Sequence, residues 1–279
     1  MRPMVTSADL LIVKVGGSLF SDKMTDRQLD EQALQTYAQL MASLYRNAPG
    51  HVIMISGGGS YGHHAVRCID ESDELSLLSL GMINFELKCV WHEQLKRCGI
   101  KSYPLHLASM TSCVNRENFD SSAKFVNKLL YAKYLPLVTG DALLNEQGVL
   151  EVVGSDYVAG AFKDLEFNKI RIVIMTDVPG VLQKSATGQF ETIKEIDQFN
   201  DPAQWLWETP EGDTSGAMQG KIAALLKQAK WGAECFIVEG QACLKNPRWL
   251  FEEHSDWPEE FKSTQIIWRE NNAKDTEGY

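Results

Sequence analysis

The chain has 279 residues, of which 44% are apolar and 23% are charged, a composition typical of a folded globular protein. Its 37 acidic and 27 basic residues give a formal net charge of −10, which argues against nucleic acid as a partner. The apolar run near the N-terminus is short and interrupted by Lys14, so we predict no signal sequence or membrane span and expect a cytoplasmic protein. The six cysteines lack metal-type spacing and are expected to be reduced thiols.

The first half of the chain predicts strands that alternate with amphipathic helices. The predicted elements, in chain order, are a strand at 10–15, a helix at 30–47, a strand at 51–56, a helix at 82–98 and strands at 103–107 and 135–139. The first two strands run directly into glycines, at Gly16–Gly17 and at the triple glycine Gly57–Gly59.

The second half continues the same alternation. The predicted elements are a hairpin around 145–148, a helix that begins at Ser155–Asp156, a central strand at 170–175, a helix at 216–231 and late strands at 234–239 and 264–268. This order predicts an α/β protein whose mostly parallel sheet is covered on both faces. A change of lobe is expected between 165 and 170.

Glycine-rich loops follow several of the predicted strands, where open α/β sheets bind their ligands. They include Gly16–Gly17, Gly57–Gly59, Gly140 and Gly216. One such loop alone is more often a tight turn than a ligand site. The chain has neither the GxxxxGK[ST] nor the GxGxxG pattern, so neither a P-loop nor a Rossmann nucleotide site is predicted.

Lys14 interrupts the apolar run LLIVKV, where an ammonium group is buried only with a partner or else reaches water at a strand edge. Lys23 and Lys221 would each be ordinary solvated lysines alone, but the three could converge on one polyanion. Asp156 is either a helix cap or a carboxylate that holds the lysines. His63, directly after the glycine loop, is either packed in the protein or a hydrogen-bond donor to an oxyanion, and we favour the donor.

Six motifs, KVGGS, ISGGGSYGHHA, VTGDALL, GSDYVAGAF, MTDVPGV and GDTSGAMQGK, occur in order between about residues 10 and 240 and resemble the amino acid kinase family. The pairing of GGGSYGH with TSGAMQGK is most similar to its branch of small phosphate and phosphonate kinases. The resemblance implies a three-layer α/β/α sandwich, with the acceptor bound in an N-terminal lobe (1–166) and ATP in a C-terminal lobe (167–279). It also implies Mg²⁺ held mainly by the nucleotide phosphates, with no protein metal ligand, and a homodimer.

The resemblance further implies roles for individual residues. The expected catalytic residues are Lys14, Lys23, His63, Asp156 and Lys221. The expected acceptor-binding residues are Gly57, Gly58, Gly59, His63, Ser155 and Ser215. The expected nucleotide-binding residues are Lys14, Gly16, Gly17, Ser18, Thr176, Asp177, Gly180, Gly216 and Lys221; from the residues alone, Asp177 is equally a turn-former.

The identity of the acceptor stays open between two members of this branch. SLFSDK, LHLASM, GAECFIVEG and SDWPEEFKSTQI are similar to fosfomycin kinase, so fosfomycin is the expected acceptor and isopentenyl phosphate the alternative. Gly154 and Ser215 depart from the pattern expected for a fosfomycin kinase. The segment 75–85 could line the pocket for either acceptor, and a non-catalytic anion-binding protein is the third reading. A phosphonate or phosphate oxygen is already anionic near neutral pH, so no catalytic base is expected.

Overall fold

The computed structural model describes residues 9–22, 26–67, 69, 74–115, 118–121, 123–185, 187–200 and 217–270. Its helices are α1 (Glu31–Asn47), α2 (Gly59–Arg67), α3 (Glu74–Arg97), α4 (Ala123–Tyr131), α5 (Ala217–Lys230) and α6 (Gly240–Lys245). Its strands are β1 (Leu10–Val15), β2 (Val52–Ser56), β3 (Ser102–Pro104), β4 (Thr111–Asn115), β5 (Asn118–Ser121), β6 (Leu135–Thr139), β7 (Asp141–Leu144), β8 (Leu150–Val153), β9 (Ile170–Thr176), β10 (Leu182–Lys184), β11 (Phe190–Thr192), β12 (Glu195–Ile196), β13 (Glu234–Glu239) and β14 (Ser263–Ile266).

An eight-stranded sheet lies at the centre of the described structure, in the order β12-β14-β13-β9-β1-β2-β6-β3. Neighbouring strands are parallel except for β13 and β14, which pair antiparallel. The remaining strands form the separate hairpins β4–β5, β7–β8 and β10–β11. The predicted α/β class with a mostly parallel sheet is therefore confirmed.

Each face of the sheet carries its own hydrophobic core because side chains alternate along a strand. Leu10 and Ile12 of β1 pack in one core with residues of α4 and α5. Leu11 and Val13 pack in the other with residues of α1, α3 and α6. Helices thus cover both faces, which gives the three layers that the resemblance implies.

Helix α1 illustrates how the local sequence specifies these elements. The Asp30 side chain accepts a hydrogen bond from the amide of Ala33 at 2.9 Å and caps the helix, as its residue type favours. The buried side of α1 includes Leu34, Tyr37 and Met41, at the spacing of one helical face. The sequence therefore predicts this helix to within one residue.

The strands predicted at 103–107 and 264–268 end earlier, at Pro104 and Ile266, and two predicted helices differ more from the structure. Helix α3 begins at Glu74 rather than at residue 82, and Leu77 and Leu80 extend its buried side toward the N-terminus. The prediction that a helix begins at Ser155–Asp156 is wrong: a short 3-10 helix spans Val158–Phe162, and Tyr157 precedes it. The Asp156 side chain does not cap this helix because it pairs with a lysine, as described below.

The two predicted lobes share one sheet. Strand β9 pairs directly with β1 along its whole length, so the sheet runs without interruption across the expected boundary near residue 166. The division into lobes stays a prediction.

None of the described helices combines the length and the apolar character needed to cross a membrane. Cys89, Cys98, Cys235 and Cys243 are free thiols.

Candidate active site

The carboxyl ends of four parallel strands meet at one edge of the sheet. Val15, the last residue of β1, lies opposite Ser56 of β2 and Met175 of β9, and Ser56 in turn lies opposite Thr139 of β6. The chain continues from these ends into Gly16, Gly57, Gly140 and Asp177. The loops at Gly16–Gly17, Gly57–Gly59 and Gly140 are thus brought together, at the edge where open α/β sheets bind ligands.

The loops after β1 and β2 are in direct contact. A Cβ atom on Gly57 would lie 2.5 Å from the backbone nitrogen of Gly17, and one on Gly17 would lie 2.5 Å from the nitrogen of Gly59. The amide of Gly57 donates to the carbonyl of Val15 at 2.8 Å, which fixes one loop on the strand of the other. Larger residues would force the loops apart, so these glycines are required by close packing as well as by any ligand.

Lys14 and Asp156 form a buried ion pair beneath the loops. The two residues are only 4% and 9% exposed, and the Nζ of Lys14 donates to Oδ1 of Asp156. An isolated buried ammonium group would be very unfavourable, and a partner carboxylate offsets much of that cost. Gln228 of α5 donates to the backbone carbonyl of Asp156 at 3.0 Å, so helix α5 also supports this turn.

Helix α5 brings a second lysine to the same side of the molecule. Lys221 is half-buried. It lies two helical turns before Gln228, so both residues share the face of α5 that contacts the Asp156 turn. Lys23, Ser215 and Gly216 lie outside the described residues. The backbone of His63 lies in α2, and its side chain is outside the described part of the structure.

The end of β9 and the turn after it hold three of the residues that the resemblance assigns to the nucleotide, Thr176, Asp177 and Gly180. The Ser18 hydroxyl donates to Oδ1 of Asp177 at 3.0 Å, which joins the loop after β1 to this turn. The Thr176 hydroxyl donates to the carbonyl of Val178 at 2.8 Å and shapes the turn itself. Gly180 has a φ of +114°, and a Cβ there would lie 2.6 Å from Oγ1 of Thr264, so glycine is required. Ser155 lies half-buried beside Asp156.

Helix α3 contributes polar contacts that the sequence analysis missed. Trp91 donates from Nε1 to the Ser56 hydroxyl at 2.8 Å, directly before the triple glycine. Asn84 donates from Nδ2 to the carbonyl of Gly140 at 2.9 Å. Both side chains support a loop at the carboxyl edge from below. In the sequence, these contacts are indicated only by a polar or amphipathic residue on the buried side of an apolar helix.

Lys88 of the same helix is fully buried. Its Nζ donates to the carbonyl of Leu105 at 2.8 Å. Burial lowers the pKa of Lys88 from 10.5 to about 8, and the nearby Asp141 carboxylate opposes this shift. Asp141 is itself buried, accepts a hydrogen bond from the amide of Ala108 at 3.2 Å, and lies 3.3 Å from Nδ1 of His106.

Residues 9–239 match the Amino acid kinase family. The chain is 26% identical over 222 residues to an isopentenyl phosphate kinase of Haloferax volcanii, covering 78% of this chain and 87% of the relative. It is 24% identical to an isopentenyl phosphate kinase of Methanocaldococcus jannaschii, covering 83% and 91%. An X-ray structure of isopentenyl phosphate kinase superposes with a TM-score of 0.69 at 19% identity, covering 92% of this chain and 100% of the other.

Proposed function

The chain belongs to the amino acid kinase family of ATP-dependent kinases, and we propose that it transfers the γ-phosphoryl group of ATP to the phosphate of isopentenyl phosphate. The observation that carries the proposal is the buried Lys14–Asp156 pair at a sheet edge where two glycine loops touch. The relatives described above support the acceptor. The expectation of fosfomycin becomes the second candidate.

The main difficulty in this reaction is that donor and acceptor repel each other. Two unit charges about 4 Å apart repel by about 1 kcal/mol in water and by about 4 kcal/mol at an effective dielectric constant near 20. Both reactants carry more than one negative charge. The site must therefore supply positive charge and amide groups, and phosphoryl transfer otherwise requires mainly alignment.

Lys14 is placed to supply this charge. In the protein alone, Asp156 balances the ammonium group and fixes its direction. When phosphate oxygens enter beside β1, the same ammonium group can donate to them while it keeps its carboxylate partner, because an ammonium group has three donors. Lys221 would approach the phosphates from the face of α5 that contacts the Asp156 turn. The acceptor oxygen is already anionic, so no base is required.

The residues present fit a bound ATP–Mg²⁺ complex. Gly16 and Gly17 leave the backbone bare where phosphates would approach, and the Ser18–Asp177 bond borders that region. Among the described residues, no cluster of three His, Cys, Asp or Glu side chains could hold a metal ion. In the proposed function Mg²⁺ would be held mainly by the nucleotide phosphates and water, as its preference for retained waters favours. When bound, the ion neutralises phosphate charge.

Fosfomycin is the second candidate because one apolar cluster favours a small acceptor. Ala65 of α2, Leu80 of α3 and Ala142 of β7 pack together and are almost fully buried. These elements flank the loops at Gly57 and Gly140, so the branched apolar tail of isopentenyl phosphate entering between them would have to displace this cluster. A small phosphonate would not.

Release of ADP from purified protein, with ATP and Mg²⁺, distinguishes the two acceptors. We expect kcat/KM for isopentenyl phosphate to exceed that for fosfomycin by at least about 100-fold, equivalent to about 2.7 kcal/mol of transition-state stabilisation. The reverse ratio would establish the phosphonate as the acceptor. No turnover above background on either compound, with folded protein, would contradict the proposed function.

We also infer that the protein is a homodimer formed through the outward side of α3. Leu75, Leu78, Met82 and Phe85 recur along that side and are exposed. Helix α3 lies beside β3, the edge strand of the sheet, so a second copy related by a twofold axis would cover both. Light scattering should give twice the mass of the chain for the wild type and a single mass for Leu78→Glu combined with Met82→Glu. A monomeric wild type would contradict this inference.

A further inference from the structure

The Ser21 hydroxyl joins the two loops at the sheet edge. It donates to the carbonyl of Gly17 at 3.0 Å and accepts from the amide of Ser60 at 2.9 Å. Ser60 lies in the first turn of α2, where backbone amides have no partner within the helix, so Ser21 caps α2 from the neighbouring loop. Gly59 has a φ of +51°, and a Cβ there would clash with the Ser21 hydroxyl. The serine therefore fits closely between the loops.

A second contact lies at Asp26. Its Oδ1 is 2.6 Å from Nη2 of Arg67 and 3.1 Å from Nδ1 of His64. Both partners belong to the C-terminal half of α2. The same helix is thus held at its beginning by Ser21 and near its end by Asp26.

Arg27, the residue after Asp26, also contacts α2. The Arg27 guanidinium lies 5.0 Å from the centre of the Tyr61 ring of α2 and pairs with Glu86 of α3. Arg27 has a φ of +56°, in the left-handed region that non-glycine residues rarely adopt. Such a conformation persists only when the surrounding contacts hold it, as they do here.

The two joined loops serve opposite reactants in the proposed function. The loop at Gly16–Ser18 adjoins the ATP phosphates and the loop at Gly57–Gly59 adjoins the acceptor. We propose that Ser21 and Asp26 are positioning residues, which hold the segment after β1 against α2 and so fix the spacing between donor and acceptor. This inference rests on the proposed function for its kinetic consequence and on the contacts above for its structural one.

The contribution of the Asp26 contacts should appear in catalysis rather than in stability. The Asp26 carboxylate is exposed, and exposed ion pairs contribute little to the free energy of folding. When the contacts of Ser21 or Asp26 are lost, each loop still carries the groups that bind its own reactant. The affinity for each reactant should therefore change little. The turnover rate should fall, because phosphoryl transfer depends on alignment of the reacting atoms.

The kinetic test compares Ser21→Ala with Ser21→Thr, which keeps the hydroxyl. We expect kcat to fall at least about 10-fold in Ser21→Ala, with the KM values for ATP and isopentenyl phosphate within about 3-fold of wild type. Ser21→Thr should retain most of the turnover. A kcat unchanged in Ser21→Ala, or a change confined to KM, would overturn the role of Ser21.

Asp26 is tested with a conservative variant and a matched control. Asp26→Ala should lower kcat by about 3- to 10-fold, and Asp26→Glu should restore it. Asp164→Ala removes an exposed carboxylate elsewhere and should leave kcat at the wild-type value. Wild-type turnover in Asp26→Ala, or an equal loss in Asp164→Ala, would overturn the role of Asp26.

Amide hydrogen exchange of the protein without ligands tests the same tie independently of activity. Loss of the Ser21 acceptor should speed exchange at Ser60 by at least about 10-fold in Ser21→Ala, and Ser21→Thr should exchange as the wild type does. Identical exchange in Ser21→Ala and wild type would overturn the proposal even if the acceptor is correct. Faster exchange supports the structural tie even if isopentenyl phosphate proves not to be the acceptor.

Discussion

Lys14 and Lys88 are both buried, yet their surroundings differ. Lys14 lies in β1 at the carboxyl edge of the sheet and forms an ion pair with Asp156 beneath two glycine loops. Lys88 lies in the middle of α3 and donates to the carbonyl of Leu105. Burial of a lysine is therefore a poor indicator of a functional site by itself. Lys14 is distinguished by its position at the edge of the sheet where ligands bind and by the glycine loops beside it.

Substitution of each lysine by methionine gives the sharpest form of this comparison. Lys14→Met should lower kcat/KM by at least about 1000-fold, or about 4 kcal/mol, because it removes positive charge from the phosphoryl site. Lys88→Met should keep kcat/KM within about 10-fold of wild type. Steady-state ADP release measures both variants, with circular dichroism to verify folding. Equal losses of kcat/KM in Lys14→Met and Lys88→Met would contradict this distinction between the two lysines.

The carboxylate partner of Lys14 should also contribute to the stability of the protein. Asp156→Asn leaves the Lys14 ammonium group buried without a carboxylate, which should cost about 3 kcal/mol in the free energy of unfolding. The double variant Lys14→Met/Asp156→Asn removes both charges and should recover part of that loss. Urea denaturation measures each value. A double variant as unstable as the sum of the two single variants would show that the pair is not coupled.

Lys88 predicts a pH dependence of the free energy of unfolding. Its pKa is about 8 in the folded protein, compared with 10.5 for an ordinary lysine. Between these values the unfolded state binds the proton that the folded state has lost, so stability should rise with pH. The gain should be at most about 1.4 kcal/mol per pH unit between pH 8 and 10. Below pH 8 both states are protonated, and the full cost of burying the ammonium group is present.

Lys88→Met is the control for this effect. Its free energy of unfolding, measured in urea at pH 7, 8, 9 and 10, should lack the rise attributed to Lys88. Curves that run parallel for wild type and variant over this range would show that Lys88 does not titrate there.

The smallest expected effect concerns the support that α3 gives to the loops. Ser56→Ala removes the acceptor of the Trp91 hydrogen bond with only a small change in side-chain volume, and should cost about 1 kcal/mol in the free energy of unfolding. Thermal denaturation measures the change. A variant as stable as wild type would indicate that this hydrogen bond contributes nothing to the stability of the protein.

Local patterns in the sequence predict most of the central sheet. Residues 10–15 and 170–175 are mainly apolar runs, each with one buried basic residue (Lys14 or Arg171), because parallel strands are buried on both faces, and the structure places β1 and β9 side by side. The beginning of α3 is harder to predict. Leu75 and Leu78 face outward while Leu77 and Leu80 are buried, so its first turns show no single apolar face.

The candidate site could be predicted only in part, because its groups meet through the fold. Lys14 and Asp156 are 142 positions apart in the chain, and nothing local to Asp156 distinguishes an ion-pair partner from a helix cap. Their pairing, like the meeting of the glycine loops, follows from strand order. Asn84 and Trp91 belong to no motif, and Ser21 lies in the SLFSDK segment without a role expected for it. The contacts of all three with the loops become visible only in three dimensions.

Transfer of a radiolabelled γ-phosphate from ATP to isopentenyl phosphate tests the central claim most directly. If Lys14 and the glycine loops form the phosphoryl-transfer site, labelled isopentenyl diphosphate should accumulate with the wild type and with Lys88→Met, and remain at background with folded Lys14→Met. Equal labelling of this product by Lys14→Met and wild type, or no labelled product from the wild type, would contradict the account.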